Sequence, residues 1–135
     1  MEDFTFWDLP SHPSWHNRMK DDEVSINNKK ENHSVTFNQR TSKQIIDGGF
    51  VNYRIREDNI TGEIHFVFVK DKTIGTRFNI TGKANKNITC ANRVMVERLY
   101  KHFGLQSETT RYIGKISCNL SNSEEYYTVK VVFKQ

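Results

Sequence analysis

No stretch of the 135 residues approaches the ~20 consecutive apolar positions needed to cross a bilayer. The chain therefore reads as having no membrane span. A secretory leader begins basic, and this sequence begins "MEDFTFWD", so a cytoplasmic protein is expected. Cysteine occurs twice, at Cys90 and Cys118, too seldom and too far apart for a disulfide framework or a CxxC metal half-site. Glycine-rich phosphate loops are missing as well: "NITGEI" and "NITGKAN" each hold one glycine, enough for a turn.

Catalytic groupings are equally sparse. Cys90 lies at a strand-to-helix junction, where a helix dipole could activate it, with His102 or His65 as a partner base. Its counterpart in the repeat described below is Phe37, which points instead to an apolar core slot. The carboxylate pairs Glu57–Asp58 and Glu124–Glu125 fall in turns. His12 and His16 stand four apart, but Pro13 lies between them and no third ligand is near. The reading is of a non-enzyme without cofactor or metal.

Charge is unevenly distributed. Residues 1–23 carry a net −4 and residues 24–135 a net +8. The first stretch is an acidic aromatic segment bearing Phe4, Phe6, Trp7, Leu9 and Trp15, with Pro10 and Pro13 favouring an extended path. Disordered tails are poor in aromatics, so this segment is expected either to cover its own domain or to bind a protein partner through Phe6, Trp7 and Trp15.

From Val24 onward one phrase is used twice. "VSI" and "SVTF" flank the polar loop "NNKKENH"; "NQRTSKQII" follows as a helix capped by Asn38 and stopped by Gly48–Gly49. "FVNYRI" and "EIHFVFVK" then form a hairpin whose second strand is apolar on both faces. The second copy runs "TRFNI", "NITC", the helix "ANRVMVERLYKHFG", "RYIGKIS" and "YYTVKVVF". In that helix Ala91, Met95, Leu99 and Phe103 make the core stripe, and Gly104 serves as a left-handed cap. The expected fold is α+β: two ββαββ pseudo-repeats, about 24–70 and 76–134, forming one compact, mostly antiparallel domain with two helices over 24–135. Laid side by side, "SVTF" matches "NITC", Arg40 matches Arg93, "FVNYRI" matches "RYIGKI" and "IHFVFV" matches "YTVKVV".

This order of elements resembles the tandem swapped-hairpin DNA-binding units of the AbrB/SpoVT/MraZ type. The resemblance implies that basic residues on the first hairpins and helix starts contact DNA: Lys29, Lys30, Arg40 and Lys43 in one unit, and Lys83, Lys86 and Arg93 in the other. The residues themselves lean the same way. Both hairpin loops are rich in Lys and Asn, side chains that attract phosphate and bond to backbone or base edges. Arg54, Arg56 and Arg77 with Tyr53 suggest a basic sheet surface suited to single strands, though Tyr53 reads equally well as a packing residue. On the second helix Arg93, Glu97 and Lys101, at intervals of four, should form a self-paired stripe, leaving Arg98 freer. The expectation is a small nucleic-acid-binding protein, DNA before RNA, with a homodimer possible. The alternative is an adaptor or inhibitor of the phage or mobile-element accessory kind, whose partner is a protein met through the N-terminal aromatics or a sheet edge.

Overall fold

The computed structural model of the protein describes residues 19–118 and 123–134. The expected elements are there, in the expected order. Strands β1 (Glu23–Lys29) and β2 (Asn32–Phe37) lead to α1 (Gln39–Asp47), then β3 (Asn52–Glu57) and β4 (Ile64–Val69). The second half runs β5 (Thr76–Arg77), β6 (Asn79–Thr81), β7 (Asn87–Ala91), α2 (Arg93–Phe103), β8 (Arg111–Ser117) and β9 (Tyr126–Val132). All nine strands join one sheet in the order β5-β3-β4-β9-β8-β1-β2-β7-β6, and every pairing is antiparallel.

The stretch "TRFNI" reads as one strand in the sequence; the structure splits it across the sheet. Thr76–Arg77 pairs with β3 at one edge, and Asn79–Thr81 pairs with β7 at the other. Only Phe78 lies between them, and it is buried. A single residue cannot bridge the width of an open nine-stranded sheet, so the sheet curls until its two edges meet as a near-barrel.

The two halves interlock within the one chain. Thr36 pairs with Thr89 where β2 meets β7, their hydroxyls 3.3 Å apart, and Phe66 pairs with Val129 where β4 meets β9. Taking these two rungs as symmetric satisfies every repeated ladder: β1·β2 matches β6·β7, β3·β4 matches β8·β9, and β1·β8 matches β5·β3. An approximate two-fold axis thus relates the units. Under it "IHFVFV" matches "YTVKVV" as the sequence suggests, but Tyr53 matches Ile116, so "FVNYRI" lies two residues further along than its apparent match.

Local chemistry explains both helices. Asn38 and Asn92 each turn a side-chain oxygen to the amide of Thr41 or Met95, 2.8 and 2.9 Å away, which satisfies a donor that the helix leaves unpaired. α1 accordingly begins at Gln39 and α2 at Arg93, which makes Arg40 the second residue of its helix where Arg93 is the first of its own. Gly104 ends α2 at φ 64°, and Leu105 donates back to the Tyr100 carbonyl over 2.8 Å. Because Ala91 belongs to β7, the buried stripe of α2 is Val96, Leu99 and Tyr100, with Met95 and Phe103 at its borders. That is a rotation away from the expected Ala91–Met95–Leu99–Phe103 line.

The caps are unequal. Asn38 is buried and also donates its amide to the carbonyls of Asp21 and Glu23 over 3.0 and 2.8 Å, tying the start of β1 to the helix. Asn92→Ala is expected to cost about 1 kcal/mol. Asn38→Ala should cost about 2–3 kcal/mol, since it also strands two carbonyls. Urea unfolding of the two variants checks the order; equal losses would mean the anchoring bonds contribute nothing.

Strand β4 is buried on both faces and lies between β3 and β9. Ile64, Phe66 and Phe68 enter the interior, whereas His65, Val67 and Val69 are buried on the other face, Val67 and Val69 lining a cleft with Arg54, Ile74 and Tyr126. Asn52 holds the 70–75 connection down by donating to the carbonyls of Lys72 and Ile74 over 3.2 and 2.9 Å.

Candidate nucleic-acid interface

The stretch "NNKKENH" is mostly strand, not loop. β1 and β2 pair out to Lys29–Asn32, leaving a two-residue turn of Lys30 and Glu31. The Asn92 amide donates to the His33 carbonyl over 3.0 Å, so this turn ends beside the start of α2, where Arg93 stands. In the other unit the connection 82–86 carries Lys83 and Lys86. The Asn87 amide donates to the Phe37 carbonyl over 2.8 Å, which sets that connection beside the start of α1, with Arg40 and then Lys43.

The seven basic residues therefore regroup. Sequence order puts Lys29, Lys30, Arg40 and Lys43 in one set; the fold sets the turn of Lys29 and Lys30 near the start of α2, which carries Arg93, and the connection of Lys83 and Lys86 near the start of α1, which carries Arg40 and Lys43. Each cluster takes its hairpin from one unit and its helix from the other, the direct result of β2 pairing with β7.

Within the clusters the charges differ in freedom. Arg40 lies 3.7 Å from Asp21, Lys43 2.6 Å from Asp47, and Arg93 2.9 Å from Glu97. These pairs are solvent-exposed, so each contributes little and can be exchanged for a phosphate. Lys29, Lys30, Lys83 and Lys86 are exposed and form no ion pair among the described residues.

The sheet exterior gives a different arrangement from the one expected of Tyr53. Tyr53 points inward, stacked at 6.1 Å on Phe66, and its buried hydroxyl has no hydrogen-bond partner among the described residues. Burial pushes that phenol far above its ordinary range. Outside, Arg56 donates to Nδ1 of His65 over 3.0 Å, and Nε2 of His65 lies 3.2 Å from Glu63, which Lys130 approaches to 3.0 Å. Lys130 and His65 together hold the Glu63 carboxyl below its usual value. The outward aromatic ring here is Tyr126, about half exposed, beside Val69.

Cys90 occupies the core slot matched by Phe37 and is fully buried; burial raises its thiol pKa rather than lowering it. Cys118 is partly exposed. A thiol reagent such as DTNB should modify Cys118 in the folded protein and reach Cys90 only on unfolding. Equal rates at both would mean the interior opens readily. His102, the imagined partner of Cys90, is used elsewhere: its Nε2 lies 2.8 Å from the Gly62 carbonyl. No group of three metal-ligating side chains occurs among the described residues.

A groove of about 960 Å³ between α2 and the β3–β4 hairpin is not foreseen from the sequence. Its floor is Ile55, Ile64, Met95 and Leu99; Val94, largely exposed, stands at the rim with Arg98 and Lys101. Arg98, the freer charge of the helix as read from the sequence, is among the residues that line it. The two-fold axis maps Ile55, Ile64, Met95 and Arg98 onto Cys118, Tyr127, Thr41 and Gln44. There the site is closed: the Tyr127 hydroxyl donates to Gln44, and Thr41 meets the Cys118 sulfur at 3.9 Å.

Phe6, Trp7 and Trp15, with the rest of the acidic aromatic segment up to residue 18, lie outside the described residues. Among those described, no helix is long and apolar enough to cross a membrane. No family model matches the chain, and no curated protein or solved structure matches it.

Proposed function

We propose that the protein is a non-catalytic binder of double-stranded nucleic acid, DNA by preference, holding the phosphate backbone through its two lysine turns. The observation that carries this is their placement: the two turns lie at positions related by an approximate two-fold axis, and their exposed lysines are free of acidic partners among the described residues. Counted along the β2–β7 ladder at the usual strand rise, the two turns stand on the order of 30 Å apart. One turn of B-form DNA is about 34 Å, and its strands run antiparallel, so two-fold related contacts one turn apart suit the duplex. Arg93 and Arg40 reinforce each turn by exchanging a carboxylate for a phosphate. This is the mode expected of swapped-hairpin units.

The test is a salt titration of binding to mixed-sequence duplex and single strands. Affinity for duplex should fall log-linearly with salt, with a slope of about −0.9 per phosphate contact. Absence of duplex binding at low salt would remove the reading, and a preference for single strands would move the interface to the Arg54–Tyr126 face.

A second reading, an adaptor or inhibitor with a protein partner, draws support from the open groove beside α2. Its sheet-edge form draws less, because the edges β5 and β6 are two and three residues long.

A further inference from the structure

The groove beside α2 is amphipathic in a particular way. Apolar carbon forms the floor through Ile55, Ile64, Met95 and Leu99, and cationic side chains, Arg56, Arg98 and Lys101, border it. Glu57 and Glu97 also line it, but neither is without a neighbour: Glu57 lies 3.7 Å from Nδ1 of His102, and Glu97 is bonded to Arg93. A fitting occupant would thus bring aromatic or aliphatic anchors flanked by carboxylates. Its volume is that of an ordinary ligand cleft.

The chain carries such a segment at its own start. "MEDFTFWDL" places Phe4, Phe6, Trp7 and Leu9 among Glu2, Asp3 and Asp8. Reach is sufficient: the twelve steps of chain from Trp7 to Met19 span up to ~40 Å when extended. A domain of this size is only about 35 Å across. Symmetry says why one groove is empty of side chains and its twin is not. The twin site is closed by Tyr127, whose hydroxyl reaches Gln44, where the open groove has the shorter Ile64.

We propose that the α2 groove is the docking site of the protein's own residues 4–9, with Phe6 and Trp7 on the apolar floor and Asp3 and Asp8 facing Arg98 and Lys101. The inference stands apart from nucleic-acid binding, since neither the groove floor nor the anchors include a lysine of the two turns.

Tryptophan fluorescence tests it cleanly, because both tryptophans of the protein, Trp7 and Trp15, lie in this segment. In a Trp15→Phe background Trp7 is the sole emitter. Its emission should be blue-shifted relative to a peptide of residues 1–18 and protected from acrylamide several-fold. Val94→Glu and, separately, Ile55→Glu should return both readings to those of the peptide. Val94 is 74% exposed, so its replacement leaves the fold intact, as an unchanged urea midpoint of the domain would verify. Three results would overturn the proposal: peptide-like emission from Trp7 in the unmodified groove; a protected Trp7 indifferent to both groove variants, which means it packs elsewhere; or protection lost on dilution, which means the segment docks on a second copy.

Discussion

Changing Lys29, Lys30, Lys83 and Lys86 together to alanine is expected to weaken duplex DNA binding on the order of a thousandfold near 0.1 M salt, and to reduce the salt slope by about 3–4. The arithmetic follows from four lost phosphate contacts, each worth ~0.9 of slope. The two turns lie at opposite ends of the β2–β7 ladder and share no partner, so their contributions should add in the logarithm. Lys29→Ala/Lys30→Ala and Lys83→Ala/Lys86→Ala should therefore each remove about half of the slope. All four side chains are exposed, so thermal unfolding should barely move. An unchanged slope in the quadruple variant would clear the turns of any role. Loss from one pair only would mean that the two-fold placement is not used.

Phe37→Ala should be the most damaging single change in the core, at about 3–5 kcal/mol. Phe37 is fully buried and meets Phe66 and Phe68 edge-on, with ring centroids 5.2 and 5.4 Å away. The two-fold axis shows why these rings matter together. Phe37, Phe66 and Phe68 all belong to the first unit, and their counterparts are Cys90, Val129 and Val131. Large residues from one unit thus fill the room that small ones from the other leave, as close-packed interiors require. Phe37→Leu keeps most of the volume and should cost clearly less. Against a total stability of about 5–15 kcal/mol, the alanine variant should show a much lower urea midpoint with unchanged m. A loss under 1.5 kcal/mol would show that the interior relaxes into the space. The same inequality ties the units to each other: two copies of the first would overfill the core, and two of the second would leave it hollow.

What the sequence disclosed was local. Asn38, Asn92 and Gly104 announce helix ends because each answers a need of the nearest turn of backbone. The repeat showed through for the same reason, as "SVTF" and "NITC" precede matching caps. Features set by distant partners stayed hidden. Nothing in "TRFNI" says that Phe78 separates two sheet edges, because the split depends on the whole sheet curling round. The turn in "NNKKENH" looked long since polar residues can face outward from a strand as readily as occupy a loop. Tyr53 reads from the sequence equally as a surface ring beside Arg54 and Arg56 or as a packing residue; alternation along β3 decides for the interior. The α2 groove is legible only once Ile64 and Tyr127 are known to be equivalent positions with different side chains.

Paired on both sides, the six residues "IHFVFV" of β4 are harmless; left unpaired, they are an aggregation hazard. Their neighbours are β3, made just before, and β9, made some sixty residues later. On a ribosome the segment emerges with one flank bare and stays so until residues 126–132 arrive. Any truncation ahead of β9 should therefore yield not a smaller folded protein but an insoluble one.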